Sequence, residues 1–265
     1  MDFELRGKRA LVSGSTAGIG FAIARALAAE GASVIVNGRS EERTARAVAA
    51  IRASGLAGAD VTGIAADLGT AEGCAEVVNA APQIDVLVNN LGIFEAKPFA
   101  EITDADWLHF FEVNVLSGVR LSRAYLPGML SRNWGRILFI SSESGLQIPV
   151  EMIQYGTTKT AQLAVARGLA EMTAGTAVTV NSILPGPTKS EGVADFVAGL
   201  AAQQNKSAAD VERDFFKHAR PTSLLQRFET PDEIAALTAF IASPRASGVN
   251  GAALRVDGGV VRAIA

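Results

Sequence analysis

The sequence predicts an α/β fold in which a doubly wound parallel sheet of about seven strands carries helices on both faces. Three observations lead there. Short apolar runs recur along the 265 residues, segments of helical periodicity separate them, and the runs lack the polar alternation of a sheet with one wet face. In order, the runs are Arg9 to Val12, Ser33 to Val36, Val61 to Ala65, Ile84 to Val88, Arg136 to Ile140, Ala177 to Ile183 and Ala253 to Val256. Between them, apolar residues at three- and four-residue spacing mark helices over Ile19 to Glu30, Glu41 to Ser54, Ala105 to Leu130, Met152 to Thr173 and Pro231 to Ala242. Right-handed crossovers restrict such a chain to a Rossmann-like arrangement, expected to form one domain over residues 1–265. The stretch from Pro185 to Phe228 holds no strand, and its polar centre, Gln203 to Asp210, is expected to be mobile. An excursion leaving the carboxyl end of a strand is placed to cover a ligand, so residues 187–228 are expected to form a substrate lid. A solvated helical insertion with no part in binding is the alternative.

Composition narrows the function. With 49% hydrophobic residues the chain can bury a large core, and a net charge of -3 gives no basic field for nucleic acid or an anionic membrane. A small-molecule substrate fits better. Cys74 is the only cysteine, so no intramolecular disulfide forms, and the two histidines, His109 and His218, are too isolated to build a metal site. The charged start, Asp2 to Lys8, is unlike a signal peptide, and no stretch is apolar for long enough to span a membrane, so the cytoplasm is the expected compartment.

After the first strand comes Gly14-Ser15-Thr16-Ala17-Gly18-Ile19-Gly20, followed at once by an amphipathic helix. Gly14 permits a tight turn, Gly18 lets the backbone approach a pyrophosphate and Gly20 allows close helix packing, while the helix amino terminus favours negative charge. A strand-to-helix turn that binds nothing would use glycines too, and the spacing is not that of the common dinucleotide fingerprint. The spacing does resemble the G-x-x-x-G-I-G turn of the short-chain dehydrogenase/reductase family, and the resemblance extends over essentially the whole chain. Asn89-Asn90-Leu91-Gly92 is similar to that family's Asn-Asn-Ala-Gly, with Leu91 as a departure beside the cofactor. The resemblance implies a nicotinamide cofactor contacted by Gly14, Ser15, Thr16, Gly18, Ile19, Gly20, Asp67, Leu68, Asn90 and Gly92. It implies further contacts from Pro185, Gly186 and Thr188 at the carboxamide, and Val256-Asp257-Gly258-Gly259 is similar to the family's last strand and turn. At the end of the second strand, Gly38 stands where NAD-preferring members carry aspartate, and Arg39 beside it can pair with a 2'-phosphate, so NADP(H) is expected in preference to NAD(H). Ala17 argues the other way, because many NADP members carry a basic residue there.

Tyr155 and Lys159 lie four apart near the start of a predicted helix, hence on one face. A free phenol titrates at about 10, too high for proton transfer near neutrality, and a nearby ammonium is expected to lower it. Ser142 ends the fifth strand thirteen positions before Tyr155, the separation found in the family, whose serine polarises the substrate oxygen; Ser141 and Ser144 are alternatives for that role. Asn114, a poor helix former within a long helix, matches the family's structural and proton-relay asparagine and is expected to mark a kink that holds water. The resemblance implies that Tyr155, Lys159, Ser142 and Asn114 are catalytic, with Lys159 also meeting the nicotinamide ribose, and that hydride passes between cofactor and a carbonyl or alcohol substrate.

Phe94, Glu143, Gln147, Glu151 and Glu191 flank these motifs and are candidates for the pocket lining, or are packing and solvated residues, and Lys189 joins Glu191 at the lid base. Small and apolar residues on several faces of the helices over Ala105 to Leu130 and Met152 to Thr173 suit a homo-oligomer, a tetramer or dimer. Two rivals are an NAD-dependent alcohol dehydrogenase, which Arg39 argues against, and a non-catalytic dinucleotide-binding redox sensor, which the Tyr155/Lys159 pair argues against. Nothing in the sequence selects the substrate.

Overall fold

The computed structural model describes residues 2–54, 60–190, 193, 199, 201 and 206–264. Seven strands form one sheet: β1 (Arg9–Val12), β2 (Ser33–Gly38), β3 (Val61–Ala65), β4 (Val86–Asn89), β5 (Gly135–Ile140), β6 (Val178–Pro185) and β7 (Ala253–Val256). Their order is β3-β2-β1-β4-β5-β6-β7, and every pairing is parallel. Each predicted strand is present. The order reverses between β1 and β4, where Val12 pairs Val36 on one side and Val88 on the other, and a crevice opens at the carboxyl ends of these strands.

The absence of alternation has the expected cause. On one face Val12, Val36, Val88 and Ile140 pack against α1 (Gly18–Ala29) and a late helix, α8 (Pro231–Ala242); on the other, Leu11, Ile35, Leu87 and Phe139 pack against α3 (Ala71–Ala80), α5 (Ser117–Ser131) and α6 (Ile153–Glu171). Helix α2 (Glu41–Ala53) starts at Ser40, whose hydroxyl accepts from Arg43 N, with Glu41 and Glu42 in its first turn. Helices α4 (Asp104–Phe111) and α8 start with capping boxes, Thr103 with Asp106 and Thr230 with Glu233.

Three local features differ from the sequence reading. The long helix expected over Ala105 to Leu130 is two helices, α4 and α5, joined by a π-turn at Glu112–Leu116 centred on Asn114, which is the kink anticipated there. Helix α3 went unforeseen: it is short, and glycine and asparagine dilute its periodicity, although Thr70 caps it. Within the excursion lies α7 (Ala208–His218), opened by a Ser207/Asp210 capping box; Val211, Phe216 and Phe228 form a small core of their own. Gln203, the first residue of the stretch expected to be mobile, lies outside the described residues, as does Glu191, whereas Ser207 to Asp210 of that stretch form the cap and first turn of α7. Among the described residues, no helix is long and apolar enough to cross a membrane.

Candidate active site

The crevice floor is a set of backbone turns tied together by buried amides and hydroxyls. The Asn37 side chain accepts from Gly14 N (3.2 Å) and donates to the carbonyls of Ile64 and Ala66, pinning the glycine turn to β3. Asn90 Nδ2 donates to the carbonyls of Ser13 (2.9 Å) and Gly14 (3.0 Å), and Ser13 Oγ receives the backbone N–H groups of Asn90 and Leu91. A Cβ on Gly20 would lie 2.5 Å from both Asn90 Nδ2 and Gly14 O, so the turn closes only around glycine. Asn37 and Ser13 were not singled out in the sequence, because neither belongs to a spaced motif. Their residue types were the only signal: a buried polar side chain at each strand end.

This turn fits a dinucleotide. Helices α2, α3, α4, α7 and α8 each begin with a serine or threonine that accepts from the first turn, whereas α1 begins at Ala17 with no side-chain cap. Helices α5 and α6 also start without a side-chain cap, but among the described residues α1 alone does so on a glycine turn at the end of β1, where its first amides can meet an anion from outside the chain. Gly14, Ser15, Thr16, Gly18, Ile19 and Gly20 all lie in or beside it, with Ser15 Oγ turned inward to accept from Asn37 N (2.9 Å). Asp67 lies exposed beyond β3 with Oδ1 accepting from Gly69 N, while the Leu68 side chain is fully buried in the core and can offer a ligand only its backbone. Gly186 N donates to Glu229 Oε2 (3.0 Å) and to Val256 O, Thr188 Oγ1 returns to Gly186 O (2.9 Å), and Pro185 pairs Val256 at the end of β6. Burial pushes the Glu229 carboxyl up to about 7.

Beside the turn, β5, α6 and the π-turn bring the four candidate catalytic residues together. Lys159 Nζ is buried, donates to Ile140 O (2.9 Å) and Gln162 Oε1 (3.3 Å), and lies 5.6 Å from the centre of the Tyr155 ring. Burial brings the ammonium down to about 8. A Cβ on Gly92 would meet it at 3.3 Å, so the strand-end backbone passes directly over the lysine. Asn114 is held at both ends of its amide, accepting from Ile93 N (2.8 Å) and donating to Ile93 O and Thr158 Oγ1 (both 3.0 Å). Its backbone carbonyl, released by the π-turn, accepts from Gln162 Nε2. Gln162 thus links lysine to asparagine. It was missed because a glutamine three residues after a lysine carries no signal of its own.

The structure separates the three serines. Ser141 Oγ donates to Lys159 O (2.9 Å) and Ser144 Oγ to Glu143 Oε2 (2.9 Å); Ser142 Oγ donates to the same carboxylate oxygen, Glu143 Oε2 (2.5 Å), and of the three serines it is the one that bears on the Tyr155 phenol, lowering its titration. The expected lowering of Tyr155 by Lys159 is corrected: burial dominates and raises the phenol, opposed by the Ser142 hydrogen bond, raised further by Glu143 and lowered by Arg220. Phe94 meets Tyr155 edge to face at 6.3 Å. Glu143 is buried and ion-paired to Arg220 (3.0 Å), which also holds Glu151 (3.1 Å). Gln147 is exposed, as are Lys189, His109 and His218, and among the described residues no histidine, cysteine or carboxylate cluster could hold a metal.

The family model for short chain dehydrogenases matches residues 8–200. The chain belongs to the short-chain dehydrogenase/reductase family. It is 48% identical over the full length of both chains to an uncharacterized oxidoreductase of Bacillus subtilis. It is 34% identical to the 3-oxoacyl-[acyl-carrier-protein] reductase of Aquifex aeolicus, covering 98% of this chain and 100% of that one. The L-sorbose reductase of Gluconobacter frateurii, solved with NADPH and L-sorbose, superposes on all of both chains with a TM-score of 0.94 at 29% identity. As a member of this family, the protein is a nicotinamide-dependent oxidoreductase acting on carbonyl or alcohol groups.

Proposed function

We propose that the protein is an NADP(H)-preferring carbonyl reductase in which Tyr155 transfers the proton. The observation that carries this reading is the grouping of four side chains, in which Ser142 stands beside the Tyr155 phenol and Lys159, 5.6 Å from the ring centre, is locked to Asn114 through Gln162. Bound along the glycine turn and the Gly92 backbone, the nicotinamide would exchange a hydride with the substrate carbon. Ser142 and Tyr155 then orient and hydrogen-bond the substrate oxygen, and Tyr155 supplies its proton as the carbonyl becomes an alcohol. Lys159 and Asn114 hold the geometry and the charge beside the phenol.

Preference for NADP(H) rests on β2. A side chain at Gly38 would overlap Thr16 Cγ2, so the position that would hold a carboxylate on the ribose is closed by the phosphate turn. Arg39 is exposed beside it and makes no ion pair among the described residues, which leaves its guanidinium for a phosphate. The NADPH-bound relative and its TM-score of 0.94 support the same choice. The described part of 187–228 supports the lid, since Arg220 ties it to the loop bearing Ser142. Subunit contact is supported by Leu108 and Leu116, 72% and 37% exposed around the π-turn, and light scattering of the purified protein would test for a dimer or tetramer.

The test is oxidation of NADPH and NADH with a carbonyl panel. Tyr155-dependent turnover with NADPH favoured, and that preference weakened in Arg39→Ala, is the expected result. Binding of neither cofactor would overturn the reading.

A further inference from the structure

The mixed-charge cluster beside Tyr155 remains unused by the chemistry above. Arg220 comes from the excursion, is 8% exposed, and donates through Nε to Glu143 Oε1 (3.0 Å) and through Nη1 to Glu151 Oε1 (3.1 Å) and Ala219 O (2.9 Å). Glu143 is saturated, since its Oε2 accepts from the Ser142 hydroxyl, the Ser144 hydroxyl and Ser144 N. Two groups stay open. Among the described residues neither Arg220 Nη2 nor Glu151 Oε2 has a protein partner, and the Glu151 side chain is 44% exposed. A hydrogen-bonded chain therefore runs from Ser142, beside the Tyr155 phenol, through Glu143 to Arg220 and Glu151.

We infer that Arg220 and Glu151 form the distal half of the substrate pocket and that the substrate is a neutral, polyhydroxylated carbonyl compound of the ketose type, or the corresponding polyol. This inference rests on the reductase reading above. A hydroxyl both donates and accepts, so hydroxyls farther along the substrate from the reacting carbon satisfy an open guanidinium donor and an open carboxylate acceptor together. An acyl chain would strip water from both groups and return no hydrogen bonds, which is unfavourable for charged groups. A keto acid would add an anion to a cluster that already has two carboxylates against one guanidinium.

The experiment compares kcat/KM with NADPH for L-sorbose, 5-keto-D-gluconate and acetoacetyl-CoA in wild type, Arg220→Met and Glu151→Gln. The ketose should be the best wild-type substrate, and each variant should lower its kcat/KM relative to acetoacetyl-CoA by about ten- to hundredfold, mainly through KM, as loss of a hydrogen bond to a charged group implies. Arg220→Met leaves Glu143 unpaired in the interior and can disturb folding, so NADPH binding and thermal unfolding are measured for it alongside. Glu151→Gln keeps shape at a partly exposed site and serves where Arg220→Met fails to fold. A wild-type preference for acetoacetyl-CoA or the keto acid, or an equal loss on all substrates in Glu151→Gln, overturns the inference. Tyr155-dependent reduction of one of those other substrates would do so while leaving the reductase reading intact. Failure to bind NADPH would instead remove the reading on which it stands.

Discussion

Replacing Gln162 with leucine tests whether this buried amide sets the working pH of the site. In the wild type, Lys159 Nζ has two acceptors, Ile140 O and Gln162 Oε1, and burial already brings the ammonium down to about 8. Leucine removes one acceptor from a buried cation, a loss of about 1.5–3 kcal/mol for a hydrogen bond to a charged group. At 1.36 kcal/mol per pH unit this moves loss of the lysine proton down by about 1–2 units, so the ammonium present at neutral pH in the wild type is largely gone in the variant. The sign follows from which form loses more: the neutral amine can also donate to Gln162, but the ammonium's charge-assisted bond is the stronger, so removing the acceptor destabilises the charged form more. The assay is kcat/KM against pH, followed by cofactor absorbance. A low-side shift of the limb that reports Lys159 is expected in Gln162→Leu, and an upward shift in Gln162→Glu, which returns the acceptor with a charge. If the limb stays in place while the melting temperature falls, Gln162 only packs, and its link between Lys159 and Asn114 has no part in setting protonation.

Tyr155→Phe should lower turnover by at least about a hundredfold, the usual contribution of a positioned proton donor, while calorimetry finds NADPH binding retained. Gly38→Asp should fail to convert the enzyme to NAD, because the new side chain overlaps Thr16 in the phosphate turn; urea unfolding should show about 1–3 kcal/mol lost, and binding of both cofactors should weaken. Glu229, raised by burial from 4.5 to about 7, binds its proton more tightly folded than unfolded. Its stabilising effect is therefore full below about 4.5 and is lost as pH rises through 7, a change of up to about 3 kcal/mol that Glu229→Gln should remove from the pH dependence of urea midpoints.

What could be read from the sequence was what depends on neighbours along the chain. The seven strands announced themselves because each is short and apolar without alternation, and the glycine turn because Gly14, Gly18 and Gly20 stand at a fixed spacing between the first strand and the first helix. Tyr155 and Lys159 share a helix, and Ser142 sits at a strand end, so local geometry fixes their approach. The elements that determine how they work are held by contacts across the fold. Gln162 reaches the carbonyl of Asn114, 48 residues away, only because the π-turn frees that carbonyl from its helix. Arg220 meets Glu143 across 77 residues, from within the expected lid, where nothing in the local sequence singles it out. Burial, likewise set by contacts across the fold, explains why the sequence misjudged the phenol. Spacing puts an ammonium four residues from Tyr155, but the balance at its hydroxyl is set by burial, by Ser142 and by the charges of Glu143 and Arg220. On the proposals above, catalysis and substrate choice meet in one cluster, and a change at Arg220 should be felt at the phenol, whose titration it influences. A substitution at Arg220 that altered the Tyr155 titration without altering substrate selectivity would separate the two roles and show that the cluster serves protonation alone.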